Sequence, residues 1–256
     1  TLFPYTTLFR SNIILAISTG LVTSLIPNIV TSYTKKDMKD VNDKFNKAMQ
    51  CVLLVIVPMT IFLSMLVKPV WTLFYGTSTY GPIVYKVFVF TALFGGFYTI
   101  IINTLQGLSK YKLVMISVVL GLLTNALLDI PMMLFFDGIG MNVSYGAVVA
   151  ALIGYTLSIF LSMSMLKRKY NFIFTPTFKR IPKYIFSYIV FIVSISMLKF
   201  IIPINLSGRL VQIPILIIYG LISFGIYIFI NYKNGNLVSV FGTKIIKKYT
   251  NILKNK

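Results

Sequence analysis

Asp129 and Asn125 stand one helical turn apart inside a long apolar run, GLLTNALLDIP, so a carboxylate and an amide share one face of a helix. Such a pair can accept a proton or a cation, or meet the hydroxyls of a sugar. It equally fits a carboxylate hydrated near an interface or paired with Lys86 or Lys199. Lys86 lies just inside another apolar run, where it can meet a phosphate at a cavity mouth or snorkel to water along its aliphatic stem. Asn103 and Gln106 form a polar pair of structural character at the far end of the same run. The chain has no His, no Glu and one cysteine, Cys51, in an apolar stretch. That removes Ser-His triads, His- or Cys-ligated metals and disulfides. We expect no catalytic residue, no metal and no cofactor.

The elements that position these residues are membrane helices. Of 256 residues, 57% are hydrophobic and 11% charged, against roughly 25% charged in an ordinary soluble domain; mean hydropathy is +0.87. Runs of about 20 apolar residues cross the hydrocarbon as helices, and a barrel would instead show short alternating segments. The expected fold is all-α, a polytopic helix bundle with about seven spans at 12–31, 48–67, 83–105, 113–136, 146–166, 184–202 and 210–230. A charge at the middle of such a span costs about 2.5 to 3.5 kcal/mol, so Asp129 is expected to face protein or a cavity.

Alternate connections carry very different charge. One set holds Lys35, Lys36, Lys39, Lys44, Lys47, Lys110, Lys112, Lys167, Arg168, Lys169, Lys179, Arg180, Lys183, Lys233, Lys244, Lys247, Lys248, Lys254 and Lys256; the other holds Lys68, Lys86, Lys199 and Arg209. Clean alternation assigns the first set to the cytoplasm and with it the C-terminus. The net charge of +19 is thereby read as topology rather than as a nucleic-acid surface, and no nucleic-acid partner is expected.

Two cytoplasmic segments are amphipathic. Met38, Val41, Phe45 and Met49 recur at helical spacing among lysines, as do Val238, Phe241, Ile245, Tyr249 and Ile252. Both are expected to lie on the inner membrane surface, with Lys35, Lys36, Lys39, Lys244, Lys247 and Lys248 toward anionic lipid. Pro27, Pro58 and the pair Gly95 and Gly96 interrupt apolar runs. They are hinge candidates in a transporter or ordinary packing positions. Residues 1–11, TLFPYTTLFRS, match a translated sequencing-library adapter and are set aside as an artefact. The expected organisation is then five spans over 12–170, a linker with two further spans over 171–232, and a basic amphipathic tail over 233–256.

The ordered series SLIPNIVTSYTKKDMKDVNDKFNKA, VPMTIFLSML leading into LFYG, NTLQGLSKYK, GLLTNALLDIP and YGAVVAALIGY resembles the C-terminal half of bacterial polysaccharide-biosynthesis exporters. These belong to the multidrug, oligosaccharidyl-lipid and polysaccharide exporter superfamily, and the similarity points to its stage V sporulation protein B and lipid II flippase branch. The resemblance implies a fragment of a fourteen-helix transporter that lacks its N-terminal bundle. It also implies alternating-access movement of undecaprenyl-linked glycan across the bacterial cell membrane without covalent chemistry. Its implied partners are membrane lipids, the lipid-linked glycan and the missing half of the same protein. The alternatives are a cation-coupled drug or toxin antiporter of that superfamily and, more remotely, a lipid-modifying membrane enzyme. An enzyme would be expected to gather His, Glu or Asp at one interface, and this sequence gathers none.

Overall fold

The computed structural model describes residues 19–20, 23–76, 78–204, 210 and 212–242, and all the regular structure among them is helical. Residues 1–11, the first part of the expected span at 12–31, and Lys244, Lys247 and Lys248 lie outside the described residues. The helices are α1 (23–34), α2 (Met38–Met65), α3 (Val67–Tyr75), α4 (Gly81–Gly107), α5 (Tyr111–Gly138), α6 (Ser144–Tyr170), α7 (Thr175–Phe178), α8 (Ile181–Ile201), α9 (Gln212–Lys233) and α10 (Asn236–Phe241). Among the described residues six segments are long and apolar enough to cross a membrane: α2, α4, α5, α6, α7 with α8, and α9. The chain is a polytopic helical bundle.

Local sequence explains where these helices start and stop. Asp37 caps α2 by accepting the Asp40 N–H at 3.0 Å, which satisfies an otherwise orphaned donor. Within the first turns, Lys44 meets Asp40 and Lys47 meets Asp43, each at 2.6 Å and four residues apart. Pro82 occupies the first turn of α4, where its missing N–H has no cost. Left-handed residues end two helices or the turns after them: Ser109 (φ 58°) between α4 and α5, and Asn171 (φ 55°) after α6.

α2 is the common wall of two apolar cores. One face packs Val41, Phe45, Val52 and Ile56 with residues of α1, α4 and α6. Leu54 on its other side joins Tyr184, Phe191, Tyr219 and Tyr227 of α8 and α9. By contrast α5 is peripheral: 22% of its most apolar window is buried, against 56% for α2.

The expected surface helix at 38–49 is not a separate element. α2 runs unbroken from Met38, and Val41 and Phe45 are fully buried. Phe45 sits edge-on to Phe172 at 5.2 Å and beside Phe174 at 5.6 Å. The amphipathic pattern is real, but a protein surface meets its apolar face: the chain after α6 folds back over it. Lys35, Lys36 and Lys39 remain exposed on the opposite side.

Asparagines hold that returning chain in place. Asn42 accepts the Ile173 N–H at 2.6 Å. Buried Asn46 donates to the Ile173 carbonyl at 2.6 Å and accepts the Thr177 hydroxyl at 2.6 Å and the Thr177 N–H at 3.2 Å. The clamp gives the Ile173 carbonyl and N–H their partners and adds a second acceptor to the Thr177 N–H, which also meets the Phe174 carbonyl at 3.1 Å.

Candidate functional site

Helix order gives the bundle two ends. Lys68 at the start of α3, Lys86 in the second turn of α4 and Lys199 in the last turn of α8 lie at one end. Lys35 to Lys47, Lys110, Lys112, Lys167 to Lys169, Lys179 to Lys183 and Lys233 lie at the other. The charge asymmetry of the sequence is thus an asymmetry of the folded bundle.

At the sparse end the structure joins what the sequence left separate. Lys68, Lys86 and Lys199 all line one open cavity of about 880 Å³, together with Ser64, Pro82 and Tyr145. Lys199 is anchored there, donating from Nζ to the Met65 carbonyl at 2.5 Å, and Ser64 donates to the Lys86 carbonyl at 3.3 Å. Lys86 is exposed and Lys199 half-buried. Sequence reasoning placed all three lysines on one side of the membrane but missed their convergence, because nothing in spacing alone brings α3, α4 and α8 to one point.

Asn125 lines a second, smaller crevice of about 250 Å³ between α4, α5 and α6, with Tyr98, Gly121, Gly154, Tyr155 and Ser158. The floor of this crevice is a close backbone approach. A β-carbon on Gly121 would fall 2.0 Å from the Ser158 hydroxyl, and one on Gly154 would fall 2.7 Å from the Gly121 carbonyl. Small residues at such a helix crossing let membrane helices pack backbone to backbone. Ser158 adds a hydrogen bond across it, donating to the Ser117 carbonyl at 2.6 Å.

Asp129 follows Asn125 by one turn and is half-buried. Among the described residues the two ion pairs are both on α2, so Asp129 is paired with neither Lys86 nor Lys199. Asn103, half-buried, and Gln106, exposed, sit at the crowded end of α4, away from both cavities.

The hinge candidates have defined surroundings. Gly95 and Gly96 are buried within an uninterrupted α4. Pro27 is exposed on α1. Pro58 is buried in α2, and its ring removes the N–H that the Leu54 carbonyl would accept. Tyr227 of α9 supplies the missing donor, its hydroxyl 3.0 Å from that oxygen. Tyr188 of α8 donates to the neighbouring Leu53 carbonyl at 2.7 Å. Pro131, near the end of α5, is a further interruption that the sequence reading did not single out.

Among the described residues no three His, Cys, Asp or Glu side chains come together. The arrangement offers cations, hydroxyls and amides for binding, set in a membrane bundle.

No family model matches the chain, and no solved structure matches it. A curated relative does: the lipid II flippase MurJ of Bacillus subtilis (strain 168), 23% identical over 237 residues. The match takes in 90% of this chain and 42% of the relative, so the chain spans less than half the relative's length. This similarity agrees with the order of the chain's motifs and with its polytopic helical bundle.

Proposed function

We propose that the chain is one bundle of a flippase that moves a lipid-linked oligosaccharide, a peptidoglycan precursor such as lipid II or a related polysaccharide intermediate, across the bacterial cell membrane. The similarity to a lipid II flippase along nine-tenths of the chain carries this reading. Transport is by alternating access and makes or breaks no covalent bond. The crowded cationic end faces the cytoplasm, which puts the C-terminus there too. The opposing bundle comes from the missing N-terminal half of the same protein, and the thinly covered α5 borders the path between them. Rocking of one bundle against another needs both.

The experiment is complementation in a bacterium whose own lipid II flippase is placed under an inducible promoter. The chain joined to its upstream reading frame restores growth when the inducer is withdrawn. Failure of a stably inserted protein to do so would count against the lipid II substrate.

A second reading, a cation-coupled drug or toxin antiporter, draws on Asp129, a carboxylate on a membrane helix with no ion pair among the described residues. In that case Asp129→Asn in the completed protein abolishes drug resistance. In the flippase the same substitution leaves glycan export unchanged.

A further inference from the structure

Tyr98 of α4, Asn125 of α5 and Tyr155 of α6 line one crevice of about 250 Å³. Two distances hold them together. The Tyr98 and Tyr155 rings meet edge-on, their centroids 5.5 Å apart and their planes at 67°. Asn125 lies against Gly154, the residue before Tyr155, so closely that a β-carbon on that glycine would be 3.1 Å from its own. All three residues stand in the middle third of their helices, at the depth where a bilayer holds almost no water.

A polar group without a partner is costly at that depth. Tyr188 and Tyr227 show one remedy, each hydroxyl donating to a backbone carbonyl of α2. The Asn125 amide and the Tyr98 and Tyr155 hydroxyls have no hydrogen bond among the described residues. Their polar atoms are accessible, unlike the Ser162 hydroxyl, which is sealed in without a partner.

The lining specifies the kind of ligand. No charged side chain takes part, Asp129 included, so the crevice matches neither a phosphate nor a bare cation. The amide carries two donors and an acceptor, and each phenol is both donor and acceptor. Such a set fits a ligand whose own groups give and accept alike, as adjacent hydroxyls do. The electron-rich faces of tyrosine rings attract C–H groups. A volume of about 250 Å³ lies just below the roughly 300 to 1,000 Å³ of ordinary small-molecule pockets and admits one ring rather than a chain.

From this geometry we infer that the Tyr98, Asn125 and Tyr155 crevice is a binding site for one neutral sugar ring. Its hydroxyls meet the amide and the phenols, and its C–H face meets the aromatic rings. That the sugar belongs to a lipid-linked glycan rests on the flippase reading; the site itself does not.

The test uses the purified full chain in an amine-oxide detergent, which brings no sugar of its own, titrated with methyl β-glucoside and followed by saturation-transfer NMR. The chain binds the glucoside, and N125L and Y98F/Y155F each weaken binding by about fivefold or more. N103L, which removes an amide at the crowded end of α4, leaves it unchanged. Cyclohexanol, a ring with a single hydroxyl, binds about tenfold more weakly than the glucoside. Thermal unfolding without ligand checks that each variant folds; should one not fold, the other decides. No binding to the wild type, equal affinity in the wild type and the variants, or equal binding of cyclohexanol overturns the site.

A second arm distinguishes the sources, with the chain joined to its upstream reading frame in phosphatidylcholine nanodiscs. Polyprenyl diphosphates with and without one attached sugar are compared. A gain in affinity from the sugar that N125L abolishes assigns the site to a lipid-linked glycan. Glucoside binding that N125L weakens, without such a gain, assigns it to free sugars, and the site then stands although the flippase reading loses its support here. Loss of glucoside binding on joining the upstream bundle shows that this bundle fills the crevice, and overturns the site.

Discussion

The hydroxyl of Tyr227 fills the place of the N–H that Pro58 lacks, lying 3.0 Å from the Leu54 carbonyl that the proline leaves unpaired. Tyr227 and Leu54 are both buried, so no water is at hand to take over. A membrane helix with a proline needs a replacement donor of this kind. Tyr227→Phe is therefore expected to destabilise the chain by about 1 to 2 kcal/mol. In a Pro58→Ala background the restored N–H satisfies Leu54, and the cost of Tyr227→Phe falls below about 0.5 kcal/mol. Denaturant unfolding of the four proteins in micelles measures the coupling. Equal costs in the two backgrounds would show that the hydroxyl is not serving the proline.

Asn46 joins α2 to the segment before α8 through both its amide oxygen and its amide nitrogen. Asn46→Ala removes the donor to the Ile173 carbonyl and the nearer acceptor of the buried Thr177 hydroxyl, at a cost of about 1 to 2 kcal/mol. Limited proteolysis checks where the loss appears: cleavage is expected first between Tyr170 and Ile181, with α4 to α6 still protected.

Gly146 packs against the backbone of α5, where an added β-carbon would lie 2.4 Å from the Met132 carbonyl carbon. That atom is backbone and cannot turn aside. Gly146→Val is expected to separate the α5 and α6 pair and lower stability by about 3 kcal/mol. Gly138→Ala, where a β-carbon meets nothing within 4 Å, serves as the control and leaves the unfolding midpoint within error.

Sidedness follows from the two ends of the bundle. Cys51 is buried, and Cys51→Ser provides a cysteine-free background. Single replacements Lys35→Cys and Lys112→Cys are expected to stay unlabelled by a membrane-impermeant maleimide in intact cells, whereas Lys86→Cys is labelled. The reverse pattern would invert the topology.

How much of this was legible in the sequence depends on which physical signal carried it. Hydropathy located α4, α5, α6 and α9 to within a few residues: spans expected at 83–105 and 113–136 are helices Gly81–Gly107 and Tyr111–Gly138. The surface helix expected at 38–49 and the span expected from 48 are one helix, α2, because Asp40, Asp43, Lys44 and Lys47 continue it beyond its apolar part. Amphipathicity showed that Phe45 needs an apolar neighbour, but not that Phe172 and Phe174 supply it instead of lipid. Lys86 stood out as a candidate by itself. Its meeting with Lys68 and Lys199 depends on how α3, α4 and α8 are rotated, and apolar composition fixes length far better than rotation. The partnership of Pro58 with Tyr227 is hidden for the same reason: the proline is visible in the sequence, and its donor lies on α9.

The central proposal is that this chain is one bundle of a protein that turns a lipid-linked glycan over. Its most direct measurement is flipping in proteoliposomes, with a fluorescent polyprenyl-diphosphate glycan and an impermeant quencher added outside. The chain joined to its upstream bundle is expected to expose inner-leaflet lipid to the quencher, while residues 12–256 alone leave the protected fraction at the level of protein-free vesicles. Flipping by residues 12–256 alone, or none by the joined protein, would contradict the account.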